Sequence, residues 1–124
     1  MSLAYIGSMQ VDVHTVVELP EFQRAAARLL SEAERDDLVY YLARNPRAGD
    51  VIKGSGGVRK VRWAREGRGK SGGVRVVSFF AGANLPLFLI TAYGKGARDN
   101  LSKGEIGAMR KLTALLKASY GRAK

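Results

Sequence analysis

Residues 87–93 read LFLITAY, an apolar run interrupted only by Thr91. A strand with one wet face alternates apolar and polar side chains, so an unbroken apolar run of this length reads as a strand buried on both faces. Such a strand must lie inside a sheet that other elements cover. With 124 residues the chain is long enough for one domain with a modest core, and too short for two.

The covering elements are legible on either side. Pro20 suits a first helical turn, and EFQRAAARLL places Phe22, Ala26, Leu29 and Leu30 on one face. Ser31 followed by Glu34 is a capping-box pattern that opens a second helix, and Asn45-Pro46 stops it. Leu38, Tyr41 and Leu42 form its apolar face, while Glu32, Asp36 and Asp37 load its first turns with charge that suits the helix dipole. Those acids have a structural explanation and need no catalytic one. Near the other end, Ser102 and Glu105 repeat the capping-box pattern, and Ile106, Met109, Leu112 and Leu116 follow at helical spacing as a core stripe.

The rest reads as strands and turns. QVDVHTVVEL alternates Val11 and Val13 before Val16 and Val17, a first strand on which His14, the only histidine, points outward to solvent. MSLAYIGS has no clear periodicity and reads as a leader, so residues 1–19 are leader plus first strand and 20–124 the remainder of a single domain. GDVIKGSGG leads through a glycine turn into VRKVRWAR, EGRGKSGG is turn material, and VRVVSFFAG is the partner strand of a hairpin with a flexible tip. ANLP turns into LFLITAY, and GKGARDN is a loop. The order β-α-α-β-β-β-α is an α+β fold, an antiparallel β-sheet meander with two N-terminal helices and one C-terminal helix.

Charge is distributed unevenly over this order. The chain carries +10 overall, but residues 1–52 hold five Lys/Arg against eight Asp/Glu, residues 53–75 eight against one, and residues 76–124 eight against two. Segregation of this kind favours a polyanionic partner, nucleic acid first. The chain has no cysteine, so disulfides and thiolate chemistry are excluded. No run of about 18 uncharged apolar residues exists to span a membrane, and a cytoplasmic protein is the expectation.

Two familiar chemistries fail on the residues. AREGRGKS ends in Gly69-Lys70-Ser71 like a phosphate-binding loop, but Ala64 stands where the first glycine belongs, and both flanks read as strands instead of strand and helix. Metal sites need clustered Asp, Glu, His or Cys, and the basic half offers only Glu66, Asp99 and Glu105, the last a helix cap. Neither metal nor cofactor is therefore expected.

The cationic hairpin remains. Alternation puts Val58, Lys60 and Arg62 on one face and Arg59, Val61, Trp63 and Arg65 on the other. If Val61 and Trp63 face the core, Lys60 and Arg62 project from the opposite side, where Arg75, the tip residues Arg68 and Lys70, and Tyr93 and Lys95 can border them. Such cations can neutralise phosphates, and can stabilise the dianionic transition state formed when an RNA 2′-hydroxyl attacks its neighbouring phosphate. An ammonium group crowded by like charge also gives up its proton more readily.

The strings GDVIKGSGGVRKVRWAREGRGKSGGVRVVSFF and LFLITAYGKGARDNLSKGEI, in that order, resemble the RelE superfamily of toxin–antitoxin toxins, and most of all its HigB-type branch, over residues 20–118. The resemblance implies a ribosome-dependent mRNA endonuclease that cuts translated message by metal-free 2′-hydroxyl attack. Its partners would be the ribosome, mRNA and a cognate antitoxin with a helix-turn-helix. By matching motifs, Lys60 and Arg62 take the paired cationic positions of the first hairpin strand, Arg75 the arginine of the second, and Lys95 the basic position beyond Tyr93; these five are the expected catalytic set. Arg59, Trp63, Arg65, Arg68 and Lys70 are the expected RNA-binding set, with Trp63 or Tyr93 stacking on a base. Described members carry a C-terminal tyrosine that helps activate the nucleophile, whereas this chain has GARDNLS after Lys95 and only Tyr120 near its end, so the proton acceptor is unassigned. Two other readings stay open: a gyrase-inhibiting toxin of the ParE branch that cuts no RNA, and a basic nucleic-acid-binding module.

Overall fold

The structure is a computed structural model that describes residues 2–6, 9–64, 73–94, 96 and 100–121. Its elements are β1 (Ser2–Ile6), β2 (Met9–Val13), β3 (Val16–Glu18), α1 (Pro20–Leu29), α2 (Glu32–Arg44), β4 (Asp50–Val51), β5 (Val58–Trp63), β6 (Val74–Phe80), β7 (Leu87–Gly94) and α3 (Lys103–Gly121). Strands β5 to β7 form the expected antiparallel meander, β4 adds an edge strand of two residues absent from the expected order, and β3 joins the far edge parallel to β7, so the five-stranded sheet is mixed in the order β3-β7-β6-β5-β4. Strand β7 thus has a neighbour on each side, and every residue from Leu87 to Tyr93 is buried. The apolar run has the environment it demands.

The helices begin where local chemistry directs. Pro20 occupies the first turn of α1. The backbone N–H of Ser31 donates to Glu34 Oε1 at 2.8 Å while the Glu34 N–H donates to Ser31 Oγ at 3.1 Å, a complete capping box for α2. Ser102 and Glu105 exchange the same two bonds ahead of α3.

The sheet divides the core into two layers. On one side Phe22, Ala25 and Ala26 of α1 and Leu38 and Leu42 of α2 meet Val61, Val74, Val76, Leu87, Leu89 and Ala92. On the other, Met109 and Leu116 of α3 meet Val58, Val77, Phe79, Phe88, Ile90 and Tyr93. Phe22, Phe79 and Phe88 are wholly inaccessible, each burial contributing about 1.5–3 kcal/mol.

A turn ties α3 to the sheet. Ser55 Oγ donates to Ile52 O at 2.6 Å and accepts from Val58 N–H at 2.9 Å, and Gly54, Gly56 and Gly57 all take positive φ. A Cβ on Gly56 would run into Thr113 Oγ1 of α3, so this residue is glycine for space as well as for its φ of 84°.

Four local expectations need correction. Residues 10–19 are two strands: His14 N–H donates to Ala43 O and Thr15 O accepts from Leu87 N–H, which breaks the run and sends β2 and β3 to different sheets. Ser2–Ile6, in a stretch that reads without clear periodicity, forms a strand antiparallel to β2. His14 is half-buried with its ring edge-on to Phe80 at 4.9 Å, and is not an outward solvated side chain. Tyr41 is 39 % exposed and meets Trp63 at the margin of the core instead of entering it.

Candidate functional site

Alternation on β5 sorts its side chains as the sequence indicates. Val61 and half-buried Trp63 belong to the α1/α2 layer, Val58 to the α3 layer, and Lys60 and Arg62 therefore lie on the α3 face. Arg62 stands directly opposite Arg75 on β6, and Arg75 directly opposite Tyr93 on β7. Cβ atoms of directly opposed residues are about 4.5–5.5 Å apart, so the two guanidinium groups and the phenol form one row across three strands. Lys60 lies one pleat along β5, opposite Val77.

Tyr93 reaches this row through an irregularity. Val77 pairs with Thr91 but Ser78 pairs with Leu89, leaving Ile90 as an extra residue in β7. Leu87 and Leu89 face α1 and α2; simple alternation would send Tyr93 there too. The bulge reverses the phase, so Ala92 takes the α1/α2 side and Tyr93 the α3 side, beside Arg75.

The row is graded in exposure: Arg62 is exposed, Lys60 half-buried, Arg75 7 % and Tyr93 5 % exposed. Asp50 is opposite Lys60 in the β4–β5 register, yet the Lys60 ammonium donates to Asn100 Oδ1 at 3.0 Å. Among the described residues Arg35–Glu18 forms an ion pair at 2.8 Å, away from Lys60, Arg62 and Arg75, and Asp50 is the acid placed opposite Lys60 in the strand register. Asn100, just before α3 and 40 residues from Lys60, carries no sequence signal of this contact.

The other expected residues are spread more widely. Arg59 lies on the opposite face, where Nη1 donates to Gly49 O at 3.1 Å. Trp63 also faces away from Lys60, packed on Tyr41 with ring centroids 5.4 Å apart, but it lines a depression of about 200 Å³ with Arg62, Ala64, Gly73 and Arg75 at the base of the hairpin. Lys95, Arg65, Arg68 and Lys70 lie outside the described residues, as does most of the glycine-rich tip, whose flanks β5 and β6 are both strands. Tyr120 packs edge-on against Phe88 at 4.9 Å. Phe79 and Arg75, the partners of Phe88 and Tyr93 on β6, are four residues apart, about 13 Å at strand rise, so Tyr120 is remote from the row. Among the described residues no three His, Cys, Asp or Glu side chains converge as metal ligands, and no helix is long and apolar enough to cross a membrane.

Two adjacent guanidinium groups, one nearly buried, form a fork of N–H donors matched to phosphate oxygens. Set at a partly water-excluded surface, they favour an anion whose charge grows during reaction. The model of the RelE toxin of the RelE/RelB toxin–antitoxin system matches residues 22–122, from the first turn of α1 to beyond the end of α3. This match covers β4 to β7 and with them Lys60, Arg62, Arg75 and Tyr93, and the chain belongs to the RelE toxin family.

Proposed function

We propose that this protein is a ribosome-dependent mRNA endonuclease of the HigB-type branch, acting in the cytoplasm and held in check by a helix-turn-helix antitoxin. Membership of a toxin–antitoxin family implies the cognate antitoxin. The observation that carries the rest is the Arg62–Arg75–Tyr93 row with Lys60 beside it, three cations and a phenol brought together on one face of the sheet. Arg62 and Arg75 hold the scissile phosphate. The neighbouring 2′-oxygen attacks phosphorus, the bond to the 5′-oxygen breaks, and the products are a 2′,3′-cyclic phosphate and a 5′-hydroxyl. The guanidinium groups stabilise the doubly charged transition state; Lys60 and Tyr93 are the proton-carrying groups in reach. The HigB-type assignment rests on GKSGGVR and LITAYGK, which flank β6 and end β7.

The experiment is to induce the protein in a translation extract and map message ends. Cuts within translated codons, lost in an Arg62→Ala/Arg75→Ala variant that still melts cooperatively, are expected. Intact messages with stalled gyrase would overturn the proposal in favour of the ParE-type reading.

A further inference from the structure

Trp63 and Tyr41 form an aromatic pair at the margin of the α1/α2 core layer, against which Trp63 packs on one side. Tyr41 is 39 % exposed on α2, Trp63 is half-buried at the end of β5, and their rings meet at 5.4 Å with an interplanar angle of 45°. The pair stands between two depressions. Trp63 lines the one of about 200 Å³ that also holds Arg62 and Arg75. Tyr41 lines another, of about 330 Å³, with Asn45, Pro46, Arg47 and Ala48. A tyrosine turned inward would have joined Leu38 and Leu42; this one keeps part of its surface open to water beside the sole tryptophan.

We propose that Trp63 and Tyr41 are a stacking platform for the nucleobase next to the phosphate held by Arg62 and Arg75. The inference rests on the RNA-cleaving reading and adds to it a base-binding subsite with a residue, Tyr41, drawn from the acidic helical third of the chain. Three features point to single-stranded RNA as the occupant. The platform adjoins a guanidinium pair suited to phosphate, Arg47 brings a further positive charge to its other side, and aromatic faces accept any unstacked base. Although the aromatics belong to the α1/α2 side, Trp63 shares one depression with Arg62 and Arg75, so base and phosphate contacts meet at its rim.

The single tryptophan makes the test direct. A short single-stranded RNA with 2′-O-methyl groups, which cannot be cut by 2′-hydroxyl attack, is titrated into the full chain while Trp63 emission and RNA anisotropy are followed. The proposal expects emission to be quenched in step with binding, and an abasic oligonucleotide of equal length to bind without quenching. Tyr41→Ala should weaken RNA binding about fivefold or more, with Tyr41→Phe near wild type, since stacking needs the ring and not the hydroxyl. Binding that leaves the emission unchanged, or quenching equal for RNA and abasic backbone, overturns the platform and leaves the phosphate-clamp reading standing. Absence of binding by wild type, or binding unaffected by Arg62→Gln, overturns the platform, while the ribosome-dependent cleavage reading stands or falls separately on the mapping of message ends. Thermal melts of the Tyr41 variants, whose exposed ring contributes little to the core, separate lost binding from lost folding.

Discussion

Arg62→Gln should make the protein more stable and much less active. Arg62 and Arg75 are directly opposed on adjacent antiparallel strands, and no described acid stands between them. Two unit charges about 6 Å apart repel by about 0.7 kcal/mol in bulk water, a lower bound where one of them is nearly buried, and like charges directly opposed in a sheet cost about 0.2–1 kcal/mol. Removing the exposed member should therefore raise the melting temperature by about 1–4 °C in low salt. At about 1 M salt the screening length falls to about 3 Å and most of that gain should vanish. Cleavage should fall about 10²–10³-fold, the loss typical of one preorganised donor to a developing oxyanion. The assay pairs circular-dichroism melts at two salt concentrations with primer-extension mapping of cut messages. A variant that is less stable at low salt and still cuts at the wild-type rate would refute the reasoning, because Arg62 would then be a structural side chain.

Asn100→Ala releases the Lys60 ammonium from its acceptor; kcat for cleavage should drop about 3–10-fold with KM unchanged, as expected for loss of one charge-assisted hydrogen bond, checked by steady-state kinetics. Gly56→Ala forces a side chain against Thr113 at a φ of 84° and should cost about 1–3 kcal/mol in urea unfolding. Ser102→Ala removes both the acceptor for Glu105 N–H and the reciprocal geometry of the α3 cap, and should cost about 0.5–2 kcal/mol by the same measurement.

The parts of this molecule governed by local chemistry were legible in its sequence. Both capping boxes and the division of β5 into Val61 and Trp63 against Lys60 and Arg62 follow from short-range spacing, and the structure carries them. What depends on distant pairing was not. Periodicity identifies Val16 and Val17 as strand residues but says nothing of a parallel partner at Leu87 and Phe88. The extra residue at Ile90 hides in a run where every side chain is apolar or small, so no break in alternation betrays the bulge that turns Tyr93 toward Arg75. Tyr41 satisfies the helical period of an apolar face, and only the position of β5 decides that it meets Trp63 at the surface. Asn100, just ahead of α3, gains its contact from a lysine 40 residues away on β5, a pairing that no local spacing encodes.

The most direct test of the cationic row as an RNA-cleaving site is the chemistry of the ends it leaves. Fragments from a translation extract should be captured by a ligation that requires a 2′,3′-cyclic phosphate on the upstream piece, with a 5′-hydroxyl on the downstream piece, and these ends should disappear with Arg62→Gln. Upstream fragments ending in a 3′-hydroxyl, with 5′-phosphates downstream, would contradict the account, because a 2′-oxygen attack cannot produce them.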